Sequence, residues 1–107
     1  MAELRFHSAA VSREWDHVRH SDVNAAGTLL VRLARVVTLG RAEAEADRGR
    51  DWIYVYDCRS LCTYYALIGD GEPDPYPNVV VLAFGDIREE SASTIRSRAV
   101  KRFELES

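Results

Sequence analysis

The stretch VVVLAFG, residues 79–85, constrains the fold more than any other part of the chain. Half-exposed strands alternate apolar with polar residues, whereas an unbroken apolar run of this length marks a strand sheltered on both faces. Such a strand needs neighbours in the sheet and a layer of structure over each face. The rest of the sequence has to supply them.

Aromatic and β-branched residues do so just upstream. WIYVYD (52–57) and LCTYYALI (61–68) read as two strands, with CRS between them as a tight turn or bend. ELRFH (3–7) alternates and suits a fourth, short strand. GDGEPDPYPN (69–78) holds all three prolines and two glycines, so it is a loop. Its acidic part, GDGEPD, lacks the frame and closing glutamate of a calcium loop and reads as solvated.

Helices account for most of the remainder. Ser8 or Ser12 caps a helix running to about Arg19, with Val11, Trp15 and Val18 on one face. Ser21 and Asp22 offer a fresh cap. In VNAAGTLLVRLARVVTLG, residues Val23, Ala26, Leu29, Leu30, Leu33 and Val37 form one stripe, and Gly40 stands where a helix would end. RAEAEADRGRD (41–51) is either a helical extension or a flexible connector. A closing helix from near Ser91 to about Glu104 turns Ile95 and Ala99 inward, with Phe103 or Ala92 beside them.

The resulting order is β-α-α-β-β-β-α. This is an α+β layout: a mostly antiparallel four-stranded sheet, a helical hairpin packed on one face, and a C-terminal helix at one end. At 107 residues the chain forms one domain, residues 1–107, with a single core. The N-terminal residues include Glu3 and Arg5 and no signal-length apolar run, and no later run approaches a membrane span. A cytoplasmic protein with no membrane partner is the expectation. Nothing in the sequence asks for a cofactor.

Charge narrows the functional classes. The formal net charge is −3, so any anion site is a local patch and not a property of the whole surface. Thirteen of the fourteen basic residues are arginines, whose planar fork suits phosphate, although a GC-rich genome produces the same bias. The patch is at the end, where the closing helix carries Arg96, Arg98, Lys101 and Arg102. It either meets an anionic partner or serves the helix dipole and neighbouring glutamates. His17 and His20 form an HxxH without a third convergent ligand, so no metal site is assigned. Cys58 and Cys62 flank the hairpin turn and read as a structural thiol pair that faces across it. Trp52, Tyr54 and Tyr56 share a sheet face and are core if that face is covered, or a stacking platform for bases if it is open.

The element order and several strings resemble the RelE/ParE superfamily of bacterial toxins. The similar pieces are LRFHSAAVSREWDHV, the hairpin YDCRSLCTYYALI, and VVVLAFGDIREESASTIRSRAVKRF, which is similar to the strand-Gly-basic-Ser-helix ending of the RelE branch. The resemblance implies a toxin of a type II toxin–antitoxin system that cleaves messenger RNA in the ribosomal A site. Its partners would be a cognate antitoxin, the ribosome and mRNA. That reaction needs a deprotonated ribose 2′-hydroxyl, a stabilised phosphorane charge and a protonated leaving oxygen.

Carried over by position, Arg88 falls on the arginine after the glycine turn, one residue late because of Ile87. It would stabilise phosphate charge. Thr94 stands where the branch has a tyrosine, and Tyr54 and Val55 or Tyr56 stand where it has lysines. Arg59 is the guanidinium nearest to the expected sheet arginine and would supply charge from a shifted position. The implied site is therefore Arg88, Arg59 and Thr94 for the chemistry, with Arg96, Arg98, Lys101, Arg102, Tyr54 and Tyr56 against RNA. Two other functions fit the same scaffold: a ParE-like inhibitor that binds DNA gyrase without chemistry, and a non-toxic module, of phage origin for instance, that docks a host protein.

Overall fold

A computed structural model describes residues 3–39, 45–48, 52–68 and 78–106. The elements are β1 (Leu4–Phe6), α1 (Ala9–Ser21), α2 (Val23–Leu39), β2 (Glu45–Arg48), β3 (Trp52–Cys58), β4 (Leu61–Ile68), β5 (Asn78–Asp86) and α3 (Ala92–Glu106). The four strands and three helices read from the sequence are all present, in the expected order. The fifth strand, β2, falls in the charged segment 41–51. Its register against β3 shifts between Glu45 and Asp47, which suits a short edge strand. Gly40 and the loop 69–77 lie outside the described residues.

The sheet order is β1-β5-β4-β3-β2, parallel only between β1 and β5. β5 is buried from Val79 to Asp86, as the apolar run required. One face lies under the α1–α2 hairpin, where Val11, Leu29, Leu33, Tyr65 and Phe84 form the larger core. On the other face, Ile95 and Ala99 of α3 pack over Cys62, Tyr64, Val80 and Leu82.

A β-bulge sets which residues of β5 face which layer. Tyr64 pairs with Ala83 and Tyr65 with Val81, which leaves Leu82 as an extra residue. Simple alternation would put Phe84 on the same face as Leu82. The extra residue instead turns Phe84 toward the hairpin, where its ring meets Phe6 at 5.4 Å and Trp15 at 5.0 Å.

Two expectations about side-chain placement are corrected. On α2, Ala26, Leu29 and Leu33 are buried as expected, but Val23 and Leu30 are exposed; the buried face is completed by Ala25 and Val36. Apolar residues of this helix continue past the buried face, so spacing finds the centre of that face and not its edges. The cysteines do not face each other. They sit on opposite faces of the sheet, Cys58 toward the hairpin and Cys62 toward α3, where burial pushes the Cys62 thiol up to about 12.

Candidate nucleic-acid interface

β1 ends at Phe6, with His7 N–H still donating to Val81 C=O, but β5 continues to Asp86. Beyond that point, among the described residues, the β1-side edge of β5 has no strand to pair with, and a buried edge needs its donors and acceptors satisfied. Side chains take over. Arg102 Nη1 donates to Leu82 C=O (2.7 Å), Glu14 Oε1 accepts from Phe84 N–H (3.1 Å), and Arg98 Nη2 donates to Phe84 C=O (3.1 Å). The same groups bind one another. Glu14 holds Arg102 through both oxygens, Arg98 Nε lies 3.1 Å from Glu14 Oε2, and Glu90 accepts from Arg98 at 2.8 and 2.9 Å. Two of the four cations of the closing helix therefore finish the sheet edge, with side chains 26% and 14% exposed. Arg96 and Lys101 are exposed and form no ion pair among the described residues.

Arg88 occupies the turn just past β5. Its backbone N–H and Nε both donate to Asp86 Oδ1 (2.9 and 3.0 Å), and Nη2 donates to Asp86 Oδ2 at 2.8 Å. The Asp86 side chain is 1% exposed whereas that of Arg88 is 57% exposed. A buried carboxylate thus grips one edge of a guanidinium whose other edge faces out. The hydrogen bonds from Arg88 hold the Asp86 carboxyl down at about 2, against the opposing effect of burial, so it stays ionised.

Arg59 reaches the same end of the sheet by another route. It is the first residue of the two-residue β3–β4 turn, with φ of 55°, a position that hairpins usually give to glycine. The second turn residue, Ser60, donates to Asp22 Oδ2 at 2.7 Å and accepts from Ile87 N–H at 2.8 Å. Asp22 also caps α2 through Ala25 N–H (3.1 Å). Its carboxyl is lowered chiefly by the Ser60 hydrogen bond, with the charges of Arg59 and Arg88 adding smaller contributions. The two arginines therefore flank one acid although 29 positions of sequence separate them.

Thr94 lies in the first turn of α3, capped by Ser91. Its N–H donates to Ser91 Oγ (3.2 Å) and its hydroxyl shares a hydrogen bond with that oxygen (2.8 Å). Ser93, Thr94, Ser97, Arg98 and Lys101 line a shallow groove along α3. Tyr64 reaches this helix start, and its hydroxyl donates to Ala92 C=O at 3.4 Å. Burial raises its pKa, so the phenol keeps its proton. Tyr64 was not among the candidate residues read from the sequence; nothing local in β4 indicates that its ring ends beside α3.

The aromatic platform is not open. Tyr56 is buried at 4% exposure and Tyr54 is half-buried, both stacked on Tyr65 at 5.5 Å, and Arg32 of α2 lies 5.4 Å above the Tyr56 ring. The hairpin covers this face, so Tyr54 and Tyr56 are core aromatics. The histidines also separate. His17 Nε2 pairs with Glu89 at 2.7 Å and His20 Nδ1 donates to Asp16 C=O at 2.6 Å. Among the described residues no cluster of metal-ligating side chains forms, and no helix is long and apolar enough to cross a membrane.

No protein-family model matches the chain, and no curated protein matches it in sequence. Among solved structures it is similar to the E. coli toxin RelE, in a double arginine-to-alanine mutant in the free state. The two are 30% identical with a TM-score of 0.67, over 95% of this chain and 98% of that one.

Proposed function

The chain belongs to the RelE toxin family, and from that premise we propose that it is the toxin of a type II toxin–antitoxin pair, cutting messenger RNA at the ribosome in the cytoplasm. The observation that carries this reading is the pose of Arg88. A guanidinium has five N–H donors; two of them bind Asp86, which leaves three for a ligand on a side chain that is 57% exposed. A phosphorane oxygen meets donors that need no reorganisation, which is how oxyanion sites stabilise a transition state. Asp86 neutralises much of the long-range charge, so Arg59, Arg96 and Lys101 supply the attraction for the RNA backbone. Thr94 contributes a hydroxyl contact and no acid or base chemistry.

A second reading has its own support. Tyr54 and Tyr56, two of the positions where the branch carries lysines, are core residues, so no general base stands beside Arg88 there. That favours a non-enzymatic toxin of the gyrase-binding kind. Expression of the chain in bacteria separates these readings. Growth arrest with codon-spaced cuts in primer extension, both abolished by Arg88→Ala, supports the nuclease. Arrest with uncut messages and altered plasmid supercoiling supports gyrase binding. No arrest at all leaves the scaffold as a protein-docking module.

A further inference from the structure

We propose that Asp22, at the corner between α1 and α2, is a positioning residue: it fixes the turn that carries Arg59 against the mount of Arg88, so that the two guanidiniums meet an RNA backbone as one site. RNA as the ligand rests on the proposed cleavage of messenger RNA. An N-cap needs only one side-chain oxygen, and Asp22 uses Oδ1 on Ala25 N–H in that way. Its other oxygen, Oδ2, accepts from Ser60 Oγ at 2.7 Å, across 38 positions of sequence. Capping α2 gives no reason for that second bond.

The bond to Ser60 joins the corner to two turns at once. Ser60 directly follows Arg59, and its C=O accepts at 2.8 Å from the N–H of Ile87, which directly precedes Arg88. Loop tips are where chains move most readily, and this one is tied down through both the side chain and the main chain of Ser60. The other corner residue, Ser21, donates at 3.2 Å to Asp86 Oδ2, the oxygen that also accepts from Arg88 Nη2. Ser21 and Asp22 therefore touch the supports of both arginines, and the Asp22 carboxylate feels the charge of both. Ser60 and Asp86 are buried whereas Arg59 and Arg88 are exposed, so the holding groups lie inside and the held groups outside.

Charge and position make opposite predictions for this acid. A carboxylate beside two arginines repels phosphate, so by charge alone its removal should tighten RNA binding. A positional role makes removal weaken binding instead. Asparagine and serine remove the charge equally and both cap helices well. Asparagine still reaches Ser60, its amide donating to Oγ while its oxygen caps α2. Serine is too short to do both.

The test follows the Nε–H shifts of Arg59 and Arg88 in labelled protein, titrated with 2′-O-methyl hexauridylate at one low salt concentration. Asp22→Asn should bind at least as tightly as the parent. Asp22→Ser should bind about fivefold more weakly than Asp22→Asn, the size of one exposed arginine contact. In an Arg59→Gly background, where glycine suits the turn, that difference should shrink below about twofold. The proposal is overturned if the two variants bind alike, or if their difference persists without Arg59. It is also overturned if the Arg59 and Arg88 signals of the parent ignore the oligonucleotide. Ser60→Ala cuts the same bond from its other end with Asp22 intact, and it carries the test where Asp22→Ser fails to fold. About fivefold weaker binding is expected there as well, and unchanged binding overturns the proposal. A parent that binds through both arginines but makes no cuts in bacteria sinks the cleavage reading alone.

Discussion

Arg102 and Glu14 meet fork to fork across 88 positions of sequence, at 2.9 and 2.7 Å. The pair clamps α3 to α1 and closes the exposed end of the β5 edge. Replacing Glu14 with alanine removes the partner of one guanidinium, part of the environment of Arg98, and the acceptor for Phe84 N–H. We expect Glu14→Ala to cost about 3 kcal/mol, toward the low end for a broken buried pair because both side chains keep some exposure. Urea unfolding measures this directly. A cost under about 0.5 kcal/mol would place the pair with ordinary surface bridges.

Gly85 lies directly beneath Ile95. A methyl group there would fall inside contact distance of Ile95 Cδ1 and Cγ1, so only glycine lets α3 settle this closely on β5. Gly85→Ala should destabilise by about 1–3 kcal/mol through overpacking. Adding Ile95→Val, which removes Cδ1, should recover part of that loss and make the double mutant non-additive. Strict additivity would show that the two sites do not touch.

Acid should weaken the fold through its carboxylates. Asp86 is held at about 2 against an ordinary 3.8, chiefly by Arg88, and Glu90 is lowered from 4.5, chiefly by Arg98. Both groups bind fewer protons folded than unfolded, so their contribution is complete above about pH 5 and is lost as pH falls toward 2. Melting temperatures from pH 6 to pH 2 should show this decline. Asp86→Asn should start lower at neutral pH and fall less steeply.

The basic residues of the closing helix divide by use. Arg102→Ala should lower the melting temperature by several degrees because it uncovers Leu82 C=O and strands Glu14. Arg96→Ala with Lys101→Ala should leave the melting temperature within about 2 °C, since exposed, unpaired cations contribute little. If the chain arrests growth through RNA, that second variant should be the less toxic of the two at equal protein level. The reverse order would assign RNA contact to the edge-capping arginines.

Much of the fold was legible because local pattern and tertiary role agree. The unbroken apolar run of β5, the β3–β4 hairpin and the inward Ile95 and Ala99 all follow from short-range spacing. Val23 and Leu30 turned out exposed because apolar residues of α2 continue past its buried face, so spacing marks the centre of that face and not its edges. β2 escaped because three charged residues and an alanine at a sheet edge have no strand signature of their own. For the candidate site, sequence position was legible and side-chain partners were not. Arg88 was placed from its position after the strand, but its grip on Asp86 depends on turn geometry. Arg98 and Arg102 share a helix face with Lys101 by spacing alone; the acid that turns two of them inward comes from α1, beyond any local window.

The parallel pairing of β1 with β5 also sets a timetable for synthesis. Leu4 waits for Val79, Glu14 waits for Arg98 and Arg102, and Gly85 waits for Ile95. Contacts of such long separation form only after the intervening chain has emerged, and they slow folding accordingly. The mount of Arg88 is not among these, because Asp86 closes β5 and Arg88 follows it by two residues. A nascent chain halted before α3 holds the hairpin and most of the sheet residues without the helix that locks them. The edge network that joins Glu14 to Arg98 and Arg102 therefore closes only once α3 has been translated.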